Sequence, residues 1–242
     1  MVTDVIDIFL ENLGEREGRE THVDPLGYLT LGYGVVPDKG TATIDNIKGA
    51  THTVSKTNKV LALADYDGDE QDFARAVAAE YYLAGEEIFN NRHSDIEFNN
   101  YSLEARAAAL DLFYNAGPGA ARWNDVRTFL DGAEELNKGK YTEETQAKLI
   151  EFVNNFRGTS STGSVYLPGL LRRRLTSYNS IAPVEDRAHT IQTELTPDQT
   201  RTRFTVYSQK GKELFTRTKP TTLTQIGTMY VQNGQWVYDA LV

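Results

Sequence analysis

Three side chains near the start of the chain have the types and spacing that acid–base chemistry needs. Glu15 is followed after eight residues by Asp24 and after five more by Thr30, and the chain then runs into Leu31-Gly32-Tyr33-Gly34. Two carboxylates and a hydroxyl at this spacing can face one another across a gap the size of a sugar. In such chemistry one acid keeps its proton near neutral pH and gives it to a leaving oxygen, while the other stays ionised. Glu15 suits the first task, because partial burial against apolar helix residues would disfavour its charged form. Asp24, on a polar loop, suits the second, and Thr30 supplies a hydroxyl able to hold a water against it. Carboxyls roughly 6.5–9.5 Å apart would admit that water and invert the anomer; about 5 Å would mean a covalent intermediate.

The elements that must position these groups are legible nearby. Val5, Ile6, Ile8, Phe9, Leu10 and Leu13 recur at helical spacing, which puts Glu15 near the C-terminus of a first helix. Pro25 and Gly27 mark a turn, and Tyr28 to Tyr33 alternates like a strand. A helix end followed by a β-hairpin can hold one acid above a cleft and the other on its floor.

This block resembles the phage-type lysozymes, the muramidase family (glycoside hydrolase family 24) that includes the T-even phage endolysin. The resemblance lies in the Glu, Asp and Thr spacing and in Gly27-Tyr28-Leu29-Thr30-Leu31-Gly32-Tyr33-Gly34. A second stretch, Glu104 to Gly117 with Tyr114 and Asn115 near its end, looks like the central helix of that family's helical lobe. A third, Leu167-Pro168-Gly169-Leu170-Leu171-Arg172-Arg173-Arg174, looks like its Gly-Leu-x-x-Arg-Arg signature. The three blocks span roughly residues 5–180. The resemblance implies a cofactor-free, metal-free hydrolase of the β-1,4 bond between N-acetylmuramic acid and N-acetylglucosamine in bacterial peptidoglycan, acting by inversion. It also implies substrate contacts from Tyr28, Gly34, Tyr114 and Asn115, and charge tuning by Arg173.

Several alternatives stand beside these roles. The family carries Glu-Gly at the catalytic position; here Glu17-Gly18 is that dipeptide, while the spacing to Asp24 and Thr30 favours Glu15. Asp24-Pro25 is a common turn opener, and Thr30 alternates as any strand threonine does. Asn115 can reach an N-acetyl group or close its helix. The Arg172–Arg174 cluster can snorkel at the surface, or one member can pair with Glu15 or Asp24. Glu104 and Asp111 read as solvated helix charges, and His22 as a surface residue. Val35 stands where the family has His, which touches local packing more than chemistry. Residues 36–66, rich in Thr, Gly and Asn and containing His52, read as an irregular insertion, either extra hairpin strands or a flexible lid.

The rest of the first domain reads as helices. One runs from Asp69 toward Phe89, a second is capped by Ser102 with Leu103, Ala107, Ala108, Leu110, Leu112 and Phe113 on its buried face, and a third, Glu143 to Phe156, is capped by Thr142. Gly158 to Gly163 reads as a loop. Near residue 185 helix signals vanish. Short alternating runs follow at 190–195, 203–207, 213–218, 223–231 and 236–241, with Asn233-Gly234 the best hairpin signal. The expected fold is therefore α+β: a two-lobed lysozyme-like catalytic domain over 1–184, with a small β-hairpin lobe and a helical lobe, then a small antiparallel β module over 188–242.

Composition limits the function classes. With 242 residues, 40% hydrophobic and 24% charged, the chain is an ordinary globular polypeptide. It has no apolar run near the ~18 residues of a membrane span, no signal-peptide pattern at its start, and no cysteine. Synthesis in a reducing host cytoplasm fits this. A cell-wall substrate would then require delivery by a holin or a virion. Residues 188–242 hold six Lys/Arg against four Asp/Glu, a balance of +2 that leaves −11 for the rest of a chain totalling −9. An acidic catalytic part is a poor free wall binder and gives no footprint for nucleic acid. The aromatics Phe204, Tyr207, Phe215, Tyr230, Trp236 and Tyr238 suit either peptidoglycan binding or docking to another protein, such as a phage tail component. Docking is the favoured expectation. A free endolysin and a structural virion protein with little activity are the competing identities.

Overall fold

The computed structural model describes residues 2–17, 19–23, 29–120, 122–153, 157–160, 163–166, 168–198, 200–220, 227–232 and 235–240. Asp24 and Tyr28 lie outside these residues, as does the side chain of Glu15. The fold is α+β with antiparallel sheets, and the chain divides into two compact units, Met1–Trp123 and Asn124–Val242. Among the described residues no helix is long and apolar enough to cross a membrane.

Unit 1 opens with α1 (Val2–Glu17). Val5, Ile6, Phe9, Leu10 and Leu13 are all buried, so the helical spacing does mark the face that meets the core. Strands β1 (His22–Val23) and β2 (Leu29–Thr30) form a short hairpin in the register His22 to Thr30. The segment read as an irregular insertion forms a second hairpin from β3 (Thr51–Thr53) and β4 (Val60–Ala62). Asp38 ties it down: its carboxylate accepts from the Thr51 hydroxyl and from the Thr53 amide and hydroxyl. Burial pushes that carboxyl up, but the Thr53 and Thr51 hydrogen bonds outweigh it and hold it below the usual range.

Helix α2 (Glu70–Arg92) starts at an Asp69 cap, whose side chain accepts from the Gln71 and Asp72 amides. Helix α3 (Leu103–Ala116) is capped by Ser102, as its sequence predicts. It departs from the expected single buried face. Every residue from Ala105 to Phe113 is buried, because α3 packs on both α1 and α2. Asp111 is therefore 2% exposed rather than a solvated charge, whereas Glu104 is exposed. Gly85 allows the α2 approach: a Cβ there would lie 2.3 Å from the Phe113 ring.

Unit 2 contains α4 (Trp123–Asn137), α5 (Glu143–Val153) and α6 (Pro168–Asn179). Thr142 caps α5, accepting from the Thr145 amide. The stretch read as a loop is instead a hairpin, β5 (Arg157–Ser160) with β6 (Gly163–Tyr166). Its strands are largely polar, so hydrophobic alternation has nothing to report there. Five strands follow: β7 (Ala188–Leu195), β8 (Arg201–Ser208), β9 (Glu213–Pro220), β10 (Gly227–Gln232) and β11 (Gln235–Ala240). Their order, β11-β10-β7-β8-β9, is a Greek key: three consecutive strands form a meander and the fourth returns beside the first. The sheet buries Ile191, Phe204, Val206, Phe215 and Met229.

A buried carboxylate pins the start of that sheet. Asp186, 6% exposed, accepts from the Tyr141 hydroxyl at 2.7 Å and from Lys212 Nζ at 2.8 Å. Burial pushes its carboxyl up, yet the Lys212 and Tyr141 hydrogen bonds bring it below the ordinary value of 3.8. A depressed carboxyl stabilises the fold above its unfolded pKa and loses that contribution as pH falls through the lower, folded one. Urea denaturation of the wild type should therefore show a steeper decline below pH about 3.8 than that of Asp186→Asn. Equal acid slopes for the two proteins would refute the assignment.

Candidate active site

The last turn of α1 and the segments flanking the β1–β2 hairpin meet at Gly14. A Cβ on Gly14 would stand 3.1 Å from Arg19 Nε and 3.2 Å from Tyr33 Cε1, so this glycine lets the side chains on either side of the hairpin close on the helix. Thr30 ends the strand and is 7% exposed. Alternation predicted a strand to Tyr33, but the chain turns sooner. The Leu31 amide donates to the Val35 carbonyl at 2.8 Å, with Tyr33 at φ 64° and Gly34 at φ 72°.

Glu70, the first residue of α2, enforces that turn. One carboxylate oxygen accepts from the Thr21 hydroxyl at 2.6 Å and the other from the Gly32 amide at 2.9 Å. Residue 32 must be glycine here, since a Cβ would sit 2.5 Å from the Arg19 carbonyl oxygen. Gly32→Ala should cost about 1–3 kcal/mol through the forced backbone shift, with loss of exchange protection at the Leu31 and Gly32 amides. Unchanged stability and protection would show that the turn relaxes freely.

A row of aromatic rings backs the hairpin. The Tyr114 hydroxyl donates to the Tyr33 carbonyl at 3.3 Å, which compensates a bulky residue held in the left-handed region. Its ring lies 5.2 Å from Phe9 and 5.6 Å from Tyr81, centroid to centroid. His52 Nδ1 is 2.9 Å from the Val36 carbonyl, which can only accept, and in the neutral ring this leaves Nε2 to accept from the Tyr81 hydroxyl at 3.2 Å. Burial raises the Tyr81 pKa, opposed by hydrogen bonds from Ser55. Tyr81 thus stays a neutral phenol, joining the second hairpin to the first through Tyr114.

The predicted residues are placed as follows. Glu15 lies in the last turn of α1; Thr30 ends β2, and Gly34 lies in the following turn, which packs on α1. Tyr114 is half-buried and its hydroxyl is engaged with Tyr33. Asn115 is exposed in the last turn of α3, which ends on Gly117 at φ 76°. Arg173 belongs to α6 in unit 2 and is half-buried, while its neighbour Arg174 is 1% exposed and stands 6.0 Å over the Phe152 ring. Glu70, Tyr81 and Gly14 were not singled out by sequence reasoning. The acidic pair Asp69-Glu70 opening α2 was the available signal: Asp69 serves as the cap, which leaves Glu70 for the hairpin. An open recess beside the hairpin is lined by Arg19, Thr21, Tyr33, Asp69, Glu70 and Gln71 among others. Among the described residues no group of three or more His, Cys, Asp or Glu is placed to hold a metal ion.

No family model and no curated protein matches the chain. Among solved structures it is similar to the endolysin from Escherichia coli O157:H7 phage FAHEc1, at 18% identity over 74% of this chain and 90% of that one, with a TM-score of 0.39. That likeness is too loose to argue from. The functional reading stands on the residues themselves.

Proposed function

We propose that the chain is a peptidoglycan hydrolase, a muramidase of phage-type lysozyme character that cleaves the β-1,4 bond between N-acetylmuramic acid and N-acetylglucosamine. One observation supports the reading: the turn that follows Thr30, residues 32–34, packs on α1, whose last turn holds Glu15, and Glu70 and Tyr114 fix that turn. That packing supports the spacing argument, because Glu15 and Thr30 belong to segments adjoining it. Glu15 gives its proton to the leaving oxygen. Asp24 and Thr30 hold the attacking water, so the anomer inverts in a single displacement. Tyr28, Gly34 and Asn115 contact the glycan, and Tyr114 shapes the turn beside it. The lysozyme-like domain spans 1–184, and the 188–242 module docks the enzyme to a phage tail component that delivers it to the wall.

Mass spectrometry of products from purified sacculi tests the reaction. Reducing-end muramic acid supports the hydrolase, and an anhydro sugar means a lytic transglycosylase. Intact sacculi mean a structural virion protein. Immuno-electron microscopy of virions separates a tail-borne enzyme from a free endolysin.

A further inference from the structure

The loop between β3 and β4 carries a lysine in a backbone conformation that suits glycine. Lys56 has φ 78° and Asn58 φ 53°, while the Val54 amide donates to the Lys59 carbonyl at 2.9 Å and closes the loop. An L-residue other than Asn or Asp is uncommon there, and such outliers cluster where a side chain is being presented. The loop is seated on the turn that follows α3. A Cβ on Gly117 would lie 2.7 Å from Ser55 Oγ, and one on Gly119 would lie 2.1 Å from Lys56 Cε. Ser55 and the lysine stem thus lie directly against these two glycines. Lys59 is paired with Glu80, but Lys56 is exposed and has no such partner among the described residues.

Its position relative to the candidate site is set by contacts already described. Ser55 hydrogen-bonds Tyr81, whose ring packs on Tyr114, whose hydroxyl reaches Tyr33 in the turn after β2. Lys56 thus stands at the far end of a short ring row leading from the hairpin of Thr30. The surroundings are strongly anionic: residues 1–123 hold 21 Asp/Glu and ten Lys/Arg, a net −11. An anionic substituent entering this unit is repelled by its general field and needs a fixed cation.

We propose that Lys56 is a specificity-determining residue that receives a carboxylate of the peptide stem on a peptidoglycan strand, the glycan itself lying at the hairpin. This rests on the hydrolase reading above. Wild type, Lys56→Asn and Lys56→Arg, as full chains, would be assayed on stem-bearing glycan and on the same glycan stripped of stems by an amidase. Lys56→Asn should raise KM about three- to tenfold on stem-bearing glycan, with kcat unchanged and no change on stripped glycan. Lys56→Arg should restore the wild-type KM. Asn suits the left-handed backbone, so the Tm of Lys56→Asn should equal or exceed that of the wild type. An equal KM change on both substrates, or none on either, overturns the assignment. A wild type that cleaves neither glycan overturns the hydrolase reading, and this inference with it.

Discussion

Glu15→Gln should lower the release of reducing ends from purified sacculi by about 10²–10⁴-fold, the contribution typical of a positioned general acid. Glutamine keeps the shape and a hydrogen-bonding end but has no proton of suitable acidity to give. The Tm should stay near the wild-type value, because glutamine matches the size and shape of the glutamate it replaces. Glu17→Gln is the informative companion. If the spacing to Asp24 and Thr30 assigns the acid, Glu17→Gln retains activity; the reverse pattern would move the role to the Glu-Gly dipeptide. Loss in both variants with lowered Tm would instead point to a damaged helix end.

Arg106→Met should destabilise unit 1 by about 3–5 kcal/mol, the cost of breaking a buried charge network from one side. Arg106 is 2% exposed, and its Nη1 donates to the Tyr82 hydroxyl at 3.0 Å and to Asn99 Oδ1 at 2.6 Å. Asn99 in turn donates to the Glu86 carboxylate. Burial already pushes the Glu86 carboxyl above its ordinary value of 4.5, and Arg106 is the charge that opposes this. Removing the guanidinium raises it further. A raised carboxyl binds a proton more tightly in the folded state, so its penalty is greatest above the folded pKa and eases as pH falls toward the unfolded one. Urea denaturation should therefore show the variant's deficit shrinking from pH 7 toward the ordinary Glu value. A deficit independent of pH would mean that packing, not charge, is what Arg106 supplies.

What could be read from the chain alone divides by physical cause. The α1 face, the Ser102 and Thr142 caps and the five C-terminal strands follow from local periodicity, capping and turn chemistry, which nearby residues encode. Asn233-Gly234 lies outside the described residues, but the strands on either side of it pair in the register Gln232 to Gln235. The β5–β6 hairpin was missed because polar strands have no apolar alternation. Asp111 and Arg106 were not legible as buried, since a charge enters a core only where distant elements supply partners or cover. At the candidate site, the Glu15, Asp24 and Thr30 series was visible as spacing. The agents that shape the hairpin, Glu70 at 38 residues from Gly32 and Tyr114 at 81 from Tyr33, act across sequence distances that no local pattern records.

The return of β10 beside β7 has a consequence for biogenesis. During synthesis β7, β8 and β9 can pair as soon as each emerges, but one side of β7 stays bare until residues 227–230 arrive. A chain stopped shortly after Pro220 would present that bare backbone to other nascent copies, a template for edge-to-edge aggregation. Soluble yield should therefore fall abruptly for truncations that remove β10, and far less for those that trim only β11, the outermost strand.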